Sequence, residues 1–275
     1  TIQKNLSNSA SWAVKGKTLE DANGGNRSYL LFDTSNAMGG ASQIAADSNV
    51  IYNHSDATNN ANGNNYIAYC FAEVEGFSSI GLYVGTGTTV NVVTGFEPAM
   101  IIIKRTDSIE DWKIIDNKRG EFANSLEPNE SIAEEAGNNS NFLLSSNGFT
   151  IGDTSGDYNA NGGKYIYMAF ATDPTTVEPT LEDSFNTVVY SGDGSADNPV
   201  AGVGFQPDFV WIKPRSFADN HCLHDSVRGI DRAVYSNGTT QERIGLTAGN
   251  TGAANTGLKS FDSDGFTLGA WNNVN

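Results

Sequence analysis

Basic residues, cysteines and long apolar runs are all scarce in this chain. Its 275 residues hold 16 Lys and Arg against 32 Asp and Glu, a formal net charge of −16. With so few and such scattered cations, neither nucleic acid nor an anionic membrane is an expected partner. No apolar run approaches the roughly 18 residues of a membrane-crossing helix, and Thr1 opens no signal-peptide pattern. The two cysteines, Cys70 and Cys222, sit in unrelated contexts, Cys70 inside an apolar stretch. They are expected to be small buried thiols rather than a disulfide, which suits assembly in a reducing cytoplasm. The chain also lacks a Gly-x-Ser-x-Gly elbow, a His-Glu-x-x-His helix and a phosphate-binding glycine loop, so an enzyme is not expected.

What is present in abundance is internal likeness. Gly95-Phe96-Glu97-Pro98 returns as Gly204-Phe205-Gln206-Pro207, Lys104 as Lys213, and Asp116-x-x-Arg119-Gly120 as Asp225-x-x-Arg228-Gly229, all at a shift of 109. Gly148-Phe149-Thr150-Ile151 recurs as Gly265-Phe266-Thr267-Leu268 at a shift of 117, and Tyr66–Ala72 foreshadows Tyr165–Ala171 at 99. Ile2-Gln3-Lys4 and Trp12 lie 100 residues before Ile102-Ile103-Lys104 and Trp112. Such periodicity marks an array of related units with insertions confined to surface loops. The expected division is a first, incomplete repeat over 1–74, a complete middle repeat over 75–174, a linker over 175–185 and a third repeat over 186–275. Aligning Asn273-Val274-Asn275 with Asn159-Ala160-Asn161 leaves the third repeat without its last strand. The missing strands are expected either from a longer polypeptide or from neighbouring chains.

Met100–Lys104, Phe209–Lys213, Tyr66–Ala72 and Tyr165–Ala171 are continuous apolar runs rich in β-branched and aromatic residues, which predicts strands buried on both faces. Thr187–Tyr190 predicts another strand, leading into the turn Ser191–Gly194. Only Ser131–Glu135 reads as helical, with Ser131 and Glu134 spaced as a capping box. The pattern predicts an all-β chain of tandem, jelly-roll-like β-sandwich repeats of about 100 residues with long polar loops. With 38% hydrophobic residues it can bury a sizeable core.

Few residues suggest chemistry. The repeated set Lys104, Asp116, Arg119 and Lys213, Asp225, Arg228 reads as framework: a turn whose Asp accepts backbone N–H bonds and whose Arg crosses to a neighbouring loop. Polar clusters of Lys104 with Asp116, and of Lys213 with Asp225, are expected. His221 and His224, three apart on a strand, would face opposite ways, and His221 holds the slot that Trp112 fills one copy earlier, so packing is favoured over a zinc site. The loops Asp153–Asp157 and Asp193–Asn198 offer oxygen ligands for calcium, a weak signal without the rest of an EF-hand; no other cofactor is expected. Trp271 and Tyr158 are candidates for stacking on sugar rings.

The ordered succession Tyr66–Ala72, Glu75-Gly76-Phe77-Ser78, Gly81-x-Tyr83-x-Gly85, Gly95-Phe96-x-Pro98-x-x-Ile101-Ile-Ile-Lys104, Trp112–Asp116 and Tyr165–Ala171 resembles an uncharacterised β-domain family. That family recurs in tail-fibre and other structural virion proteins of marine bacteriophages, cyanophages among them. The resemblance implies a place on the virion exterior, after assembly in the host cytoplasm. It implies a structural role in a tail fibre or similar appendage, as spacer and host-surface adhesion module. Its partners would be identical chains, other virion proteins and host surface glycans. Alternatives are a head decoration or filament subunit that shares strands with its neighbours, and a polysaccharide-degrading tail enzyme acting through paired carboxylates.

Overall fold

The computed structural model describes residues 1–24, 28–39, 58, 60–120, 122–137, 141–171, 185–244 and 257–275. The first unit contributes β1 (Ile2–Asn5), β2 (Ala13–Val14), α1 (Lys17–Ala22), β3 (Leu30–Leu31) and β4 (Tyr66–Tyr69). The middle unit contributes β5 (Ser78–Val84), β6 (Val90–Val93), β7 (Met100–Arg105), β8 (Lys113–Asp116), β9 (Phe142–Ser145), β10 (Gly148–Ile151) and β11 (Lys164–Phe170). The last unit contributes β12 (Asn198–Ala201), β13 (Phe209–Ile212), β14 (Cys222–Asp225), β15 (Arg232–Tyr235), β16 (Arg243–Ile244), β17 (Leu258–Asp262) and β18 (Gly265–Leu268). These 18 strands form five sheets with antiparallel pairing throughout, so the fold is all-β and of sandwich type.

The middle unit is a sandwich in the strict sense. Its four-stranded sheet, in the order β5-β11-β7-β8, faces a three-stranded sheet in the order β6-β10-β9. Tyr83, Ile101, Ile103, Tyr165 and Tyr167 of the larger sheet meet Val92, Phe142, Phe149 and Ile151 of the smaller one in a single core. In the last unit the three-stranded sheet β12-β18-β17 has the form of β6-β10-β9, while the four-stranded sheet runs β13-β14-β15-β16, with β13 and β14 at the sequence positions of β7 and β8. Even the registers match: Gly148 lies opposite Val93 and Gly265 opposite Ala201. Both glycines have φ near +150°, and a Cβ on either would approach a carbonyl, Val92 O or Val200 O, to 2.0 Å. Only glycine turns these two hairpins.

Met100–Lys104 and Tyr165–Ala171 are continuous apolar runs because their sheet is buried on both faces, whereas Tyr66–Ala72 and Phe209–Lys213, expected to be the same, are only partly covered, with Phe71 and Phe209 exposed. Ile101 and Ile103 point into the sandwich, while Ile102, Ile166, Met168 and Phe170 point the other way. There they meet Ile2, Trp12, Val14, Leu30 and Phe32 of the first unit and Leu223 and Val234 of the last. The backs of three four-stranded sheets thus converge on one shared central core. At roughly 25 cal/mol per Å² of apolar surface, this convergence is a principal stabilising term.

Several sequence expectations fail here for identifiable reasons. Ser131–Glu135 is extended: Ser125 and Glu135 form a β-bridge, and Glu134 N–H donates to Arg215 O at 3.0 Å. Five residues cannot repay helix nucleation against such contacts. The helix described is α1, with Leu19 as its buried residue. Thr187–Tyr190 joins no sheet among the described residues. Cys70 lies just past the end of β4 and is exposed, whereas Cys222 is buried; neither is bonded. The linker expected over 175–185 falls outside the described residues except for Phe185, which packs on the central core.

Candidate functional site

Around the central core the three units hold one another by hydrogen bonds between equivalent positions. Met38 N–H donates to Thr106 O at 2.8 Å, Glu134 N–H to Arg215 O at 3.0 Å and Glu242 N–H to Leu6 O at 3.2 Å. The bonds run first unit to middle, middle to last and last to first, so the ring closes. A second set runs the opposite way. Trp112 Nε1 donates to Leu31 O at 3.0 Å, and Trp12 Nε1 to Tyr235 O at 2.8 Å. At the third junction His221 stands in for tryptophan, its ring facing the Glu127 main chain without hydrogen-bond geometry at Nε2.

The same loop chemistry seats all three of these rings. The backbone N–H groups of Trp12, Trp112 and His221 donate to Asp33 Oδ1, Asn129 Oδ1 and Asn237 Oδ1 at 3.0, 2.8 and 3.0 Å. His221 therefore does fill the Trp112 slot. Its Nδ1 accepts from Trp211 Nε1 at 3.0 Å, and burial pushes its pKa down to about 3. His224 is buried too, its Nδ1 lies 2.9 Å from Arg232 O, and burial takes its pKa to about 4. Each histidine is locked by its own neighbours.

The lysines mark the same junctions. Lys104 Nζ donates to Glu110 O at 2.8 Å and Ser35 O at 3.2 Å; Lys4 Nζ donates to Ala10 O and to Thr239 O. Both amines are buried, and desolvation lowers each pKa to about 8. Lys213 reaches only carbonyls of its own loop, Pro214 O and Phe217 O. The expected clusters of Lys104 with Asp116 and Lys213 with Asp225 do not form. Asp116 pairs with Met100 and Asp225 with Phe209 in the antiparallel ladders, which puts each lysine four residues away along the sheet.

Asp116 and Arg119 make a closed turn. Asp116 Oδ1 accepts the N–H groups of Lys118 and Arg119, both at 3.0 Å, and Oδ2 takes Arg119 Nε at 2.6 Å. Arg119 folds back onto Ile114 O at 3.1 Å rather than crossing to another loop. Asp225 and Arg228 repeat this, and Arg228 Nη2 also donates to Tyr69 Oη at 3.1 Å, whose hydroxyl donates to Asp225 Oδ2 at 2.8 Å. The last unit's motif thus grips β4 of the first. In the first unit the corresponding positions are Gly16 and Leu19, and Leu19 shares the central core with Met168 of β11.

Beside the middle unit's motif lies an open cleft of about 1740 Å³. Asp116 and Arg119 form part of one wall, residues 186–191 another and Phe209–Lys213 a third. In the middle unit the equivalent space between β5 and β7 holds β11. The cleft has no signature in the sequence, because it depends on how three distant segments meet.

Other candidates resolve as packing or turns. Tyr158 is 3% exposed and edge-on to Phe142 at 5.3 Å, so it cannot stack on a sugar. Trp271 is half-buried against the last unit's core, its ring centroid 6.3 Å from that of Tyr235. Asp153 and Asp193 accept the N–H groups of Ser155 and Ser195, serving their own turns. Lys113, buried, pairs with Glu127, with Glu135 at 2.9 Å and with Asp157 at 3.6 Å. Burial works against its charge, but Tyr158 and the nearby carboxylates outweigh it and hold its pKa up, while burial raises Glu127 to about 7. Among the described residues no group of three or more His, Cys, Asp or Glu side chains is placed to hold a metal ion. The Asn273–Asn275 alignment also shifts. Asn275 makes the contacts of Asn159, accepting from Asp193 N–H at 2.9 Å as Asn159 accepts from Thr86 N–H at 2.7 Å. No helix among the described residues is long and apolar enough to cross a membrane.

No curated protein and no solved structure matches the chain. A family model described as a domain of unknown function, DUF7483, matches residues 1–174 and 180–275. With nearly the whole chain covered, the protein belongs to the DUF7483 family.

Proposed function

We propose that the chain is a structural segment of a bacteriophage appendage such as a tail fibre, a rigid spacer that also contributes to host-surface adhesion. The observation that supports this reading is the closed ring. Three sheets back onto one core and are tied by bonds such as Lys4 to Thr239, 235 residues apart, which makes a stiff block. The location on a virion rests on the sequence resemblance alone. Adhesion would use the exposed loops, with half-buried Trp271 offering one face to a glycan. Antibodies raised against residues 1–275 should label the tails of particles and slow adsorption. Trp271→Ala should weaken binding to host cells without lowering the melting temperature by more than a few degrees. Antibody that labels no particle would remove the virion reading, and unchanged adsorption would remove Trp271 from it.

A second reading, a decoration or filament subunit that shares strands with neighbours, is favoured by the place of β13, which ends its sheet among the described residues. Cross-linking of native particles followed by intact-mass measurement separates the two. Adducts between neighbouring copies through the last unit support the subunit, and adducts confined to one chain support the spacer.

A further inference from the structure

We propose that the cleft between residues 186–190 and β13 is an acceptor for one extended β-strand whose fourth residue carries a hydroxyl. This place has two filled equivalents in the molecule. In the middle unit β11 pairs with β5 on one side and β7 on the other, with Met168 opposite Ile102 and Ile166 opposite Lys104. In the first unit β4 pairs with β1, with Tyr69 opposite Ile2 and Ile67 opposite Lys4. In the last unit β13 pairs with β14 alone, and its outer edge has no partner strand among the described residues. Residues 186–190 hold the β5 position: Tyr190 Oη donates to Val274 O as Tyr83 Oη donates to Tyr158 O. They join no ladder, since no strand stands between them and β13 among the described residues. By composition the longer undescribed segments lack a run like Tyr66–Ala72: 172–184 carries two prolines, 245–256 is rich in Gly, Ala and Asn, and 40–57 has no apolar run longer than Val50-Ile51-Tyr52.

The walls define the chemistry of the occupant. An unpaired ladder edge takes an antiparallel chain by main-chain hydrogen bonds, and alternate side chains then enter two different cores. Val210 and Ile212 belong to the last unit's sandwich, and Trp211 borders the central core. The incoming residues must therefore be apolar on both faces, as in Tyr66–Ala72 and Tyr165–Ala171.

The fourth position is set by the neighbouring motif. Leu19 sits in the central core with Met168, and apolar meets apolar. The Asp225–Arg228 pair meets Tyr69 through two hydrogen bonds. The remaining motif, Asp116–Arg119, borders the open cleft; Arg119 Nη2 donates to Ile114 O at 3.1 Å, whereas Arg228 Nη2 donates to both Leu223 O and Tyr69 Oη, so one N–H of Arg119 Nη2 is left for an acceptor in the cleft. By the register of the other two units, the residue that faces it lies opposite Trp211. A tyrosine there, as in β4, satisfies the guanidinium; a methionine, as in β11, does not.

The inference goes beyond the proposed function. It rests on the strand-sharing reading only for the identity of the donor in the assembly, and its test needs no particle. A peptide with the sequence of residues 64–72, its cysteine replaced by serine, is titrated into the purified chain. A scrambled peptide and one with Phe at the Tyr69 position serve as comparisons. Saturable binding of the first, hydrogen-exchange protection at residues 209–212, and about tenfold weaker binding of the Phe peptide are expected, the equivalent of about 1.4 kcal/mol. No binding beyond the scrambled peptide, or binding without protection at 209–212, overturns the strand slot. Equal affinities overturn the hydroxyl requirement. A variant chain carrying a copy of residues 60–72 after Asn275 should lose peptide binding and melt higher. Persistent binding to that variant would place the peptide elsewhere.

Discussion

The middle and last units answer the same sequence pattern with different degrees of completion. In the middle unit a seven-residue strand, β11, lies between β5 and β7, with Tyr165 and Ala169 fully buried. In the last unit the corresponding residues on either side are present, but β13 stands at a sheet edge and Phe209 is 37% exposed. The comparison teaches that strandedness here is a property of neighbours. Thr187-Val188-Val189-Tyr190 has the composition of a strand and the place of one, yet without a partner it has no ladder.

The largest expected effect separates a junction closed by tryptophan from one closed by histidine. Trp112→Ala removes a side chain 2% exposed and orphans the Leu31 carbonyl, and should cost about 3–5 kcal/mol. His221→Ala should cost less, because the ring makes no hydrogen bond to the adjoining unit. Chemical denaturation of both variants tests this; equal losses would mean that the His221 junction is as tight as the others.

The two Asp-Arg turns provide the next contrast. Arg228→Met should destabilise by about 3–5 kcal/mol, since it strands buried Asp225 and breaks the bond to Tyr69. Arg119→Met should cost about 2 kcal/mol, because Asp116 lies beside an open cleft where water can replace the guanidinium. A reversed order in urea titration would sink the idea that the cleft is open in solution.

Lysines give a smaller difference of the same kind. Lys104→Met leaves Ser35 O and Glu110 O without their donor and should cost about 2–3 kcal/mol, whereas Lys213→Met, whose partners are local, should cost under about 1 kcal/mol. Thermal melts of the pair suffice.

Acid sharpens the comparison last. His221 and His224 have folded pKa values of about 3 and 4, below the ordinary 6.5, so the unfolded chain takes up protons first as pH falls. Their stabilising contribution is complete above pH 6.5 and is lost on acidification from there toward 4, at up to about 1.4 kcal/mol per pH unit for each. Glu127, raised by burial, has the opposite sign: the folded state binds its proton first, which offsets part of that loss. The middle unit carries Trp112 and Ile115 at the histidine positions. His224→Gln should therefore flatten stability between pH 6.5 and 4.5, and hydrogen exchange should show the last unit opening first; an unchanged slope would refute the assignment.

Strands buried on both faces were legible because nothing but apolar residues can fill such positions: Ile101-Ile102-Ile103 could hardly be otherwise. The turn at Asp116 was legible from Asx chemistry. Other features were not. Ser131–Glu135 has helical composition, but Glu134 is pinned by Arg215 of another unit, a contact with no local signature. Tyr158 looked like a loop aromatic until Phe142 and Phe149 closed over it. The ring itself joins carbonyls and side chains up to 235 residues apart, and main-chain acceptors such as Leu31 O and Thr239 O leave no trace in residue identity.

The bond from Lys4 to Thr239 has a consequence for how the protein is made. Synthesis delivers the first unit's inward-facing side chains, Trp12 among them, long before Tyr235 emerges to receive its indole N–H. At about 5–20 residues per second, that wait lasts on the order of ten seconds or more. During it, half of the eventual centre is uncovered and open to wrong partners, including the matching face of the middle unit. The acidic excess of the chain bears on that interval: like net charge makes nascent copies on neighbouring ribosomes repel one another.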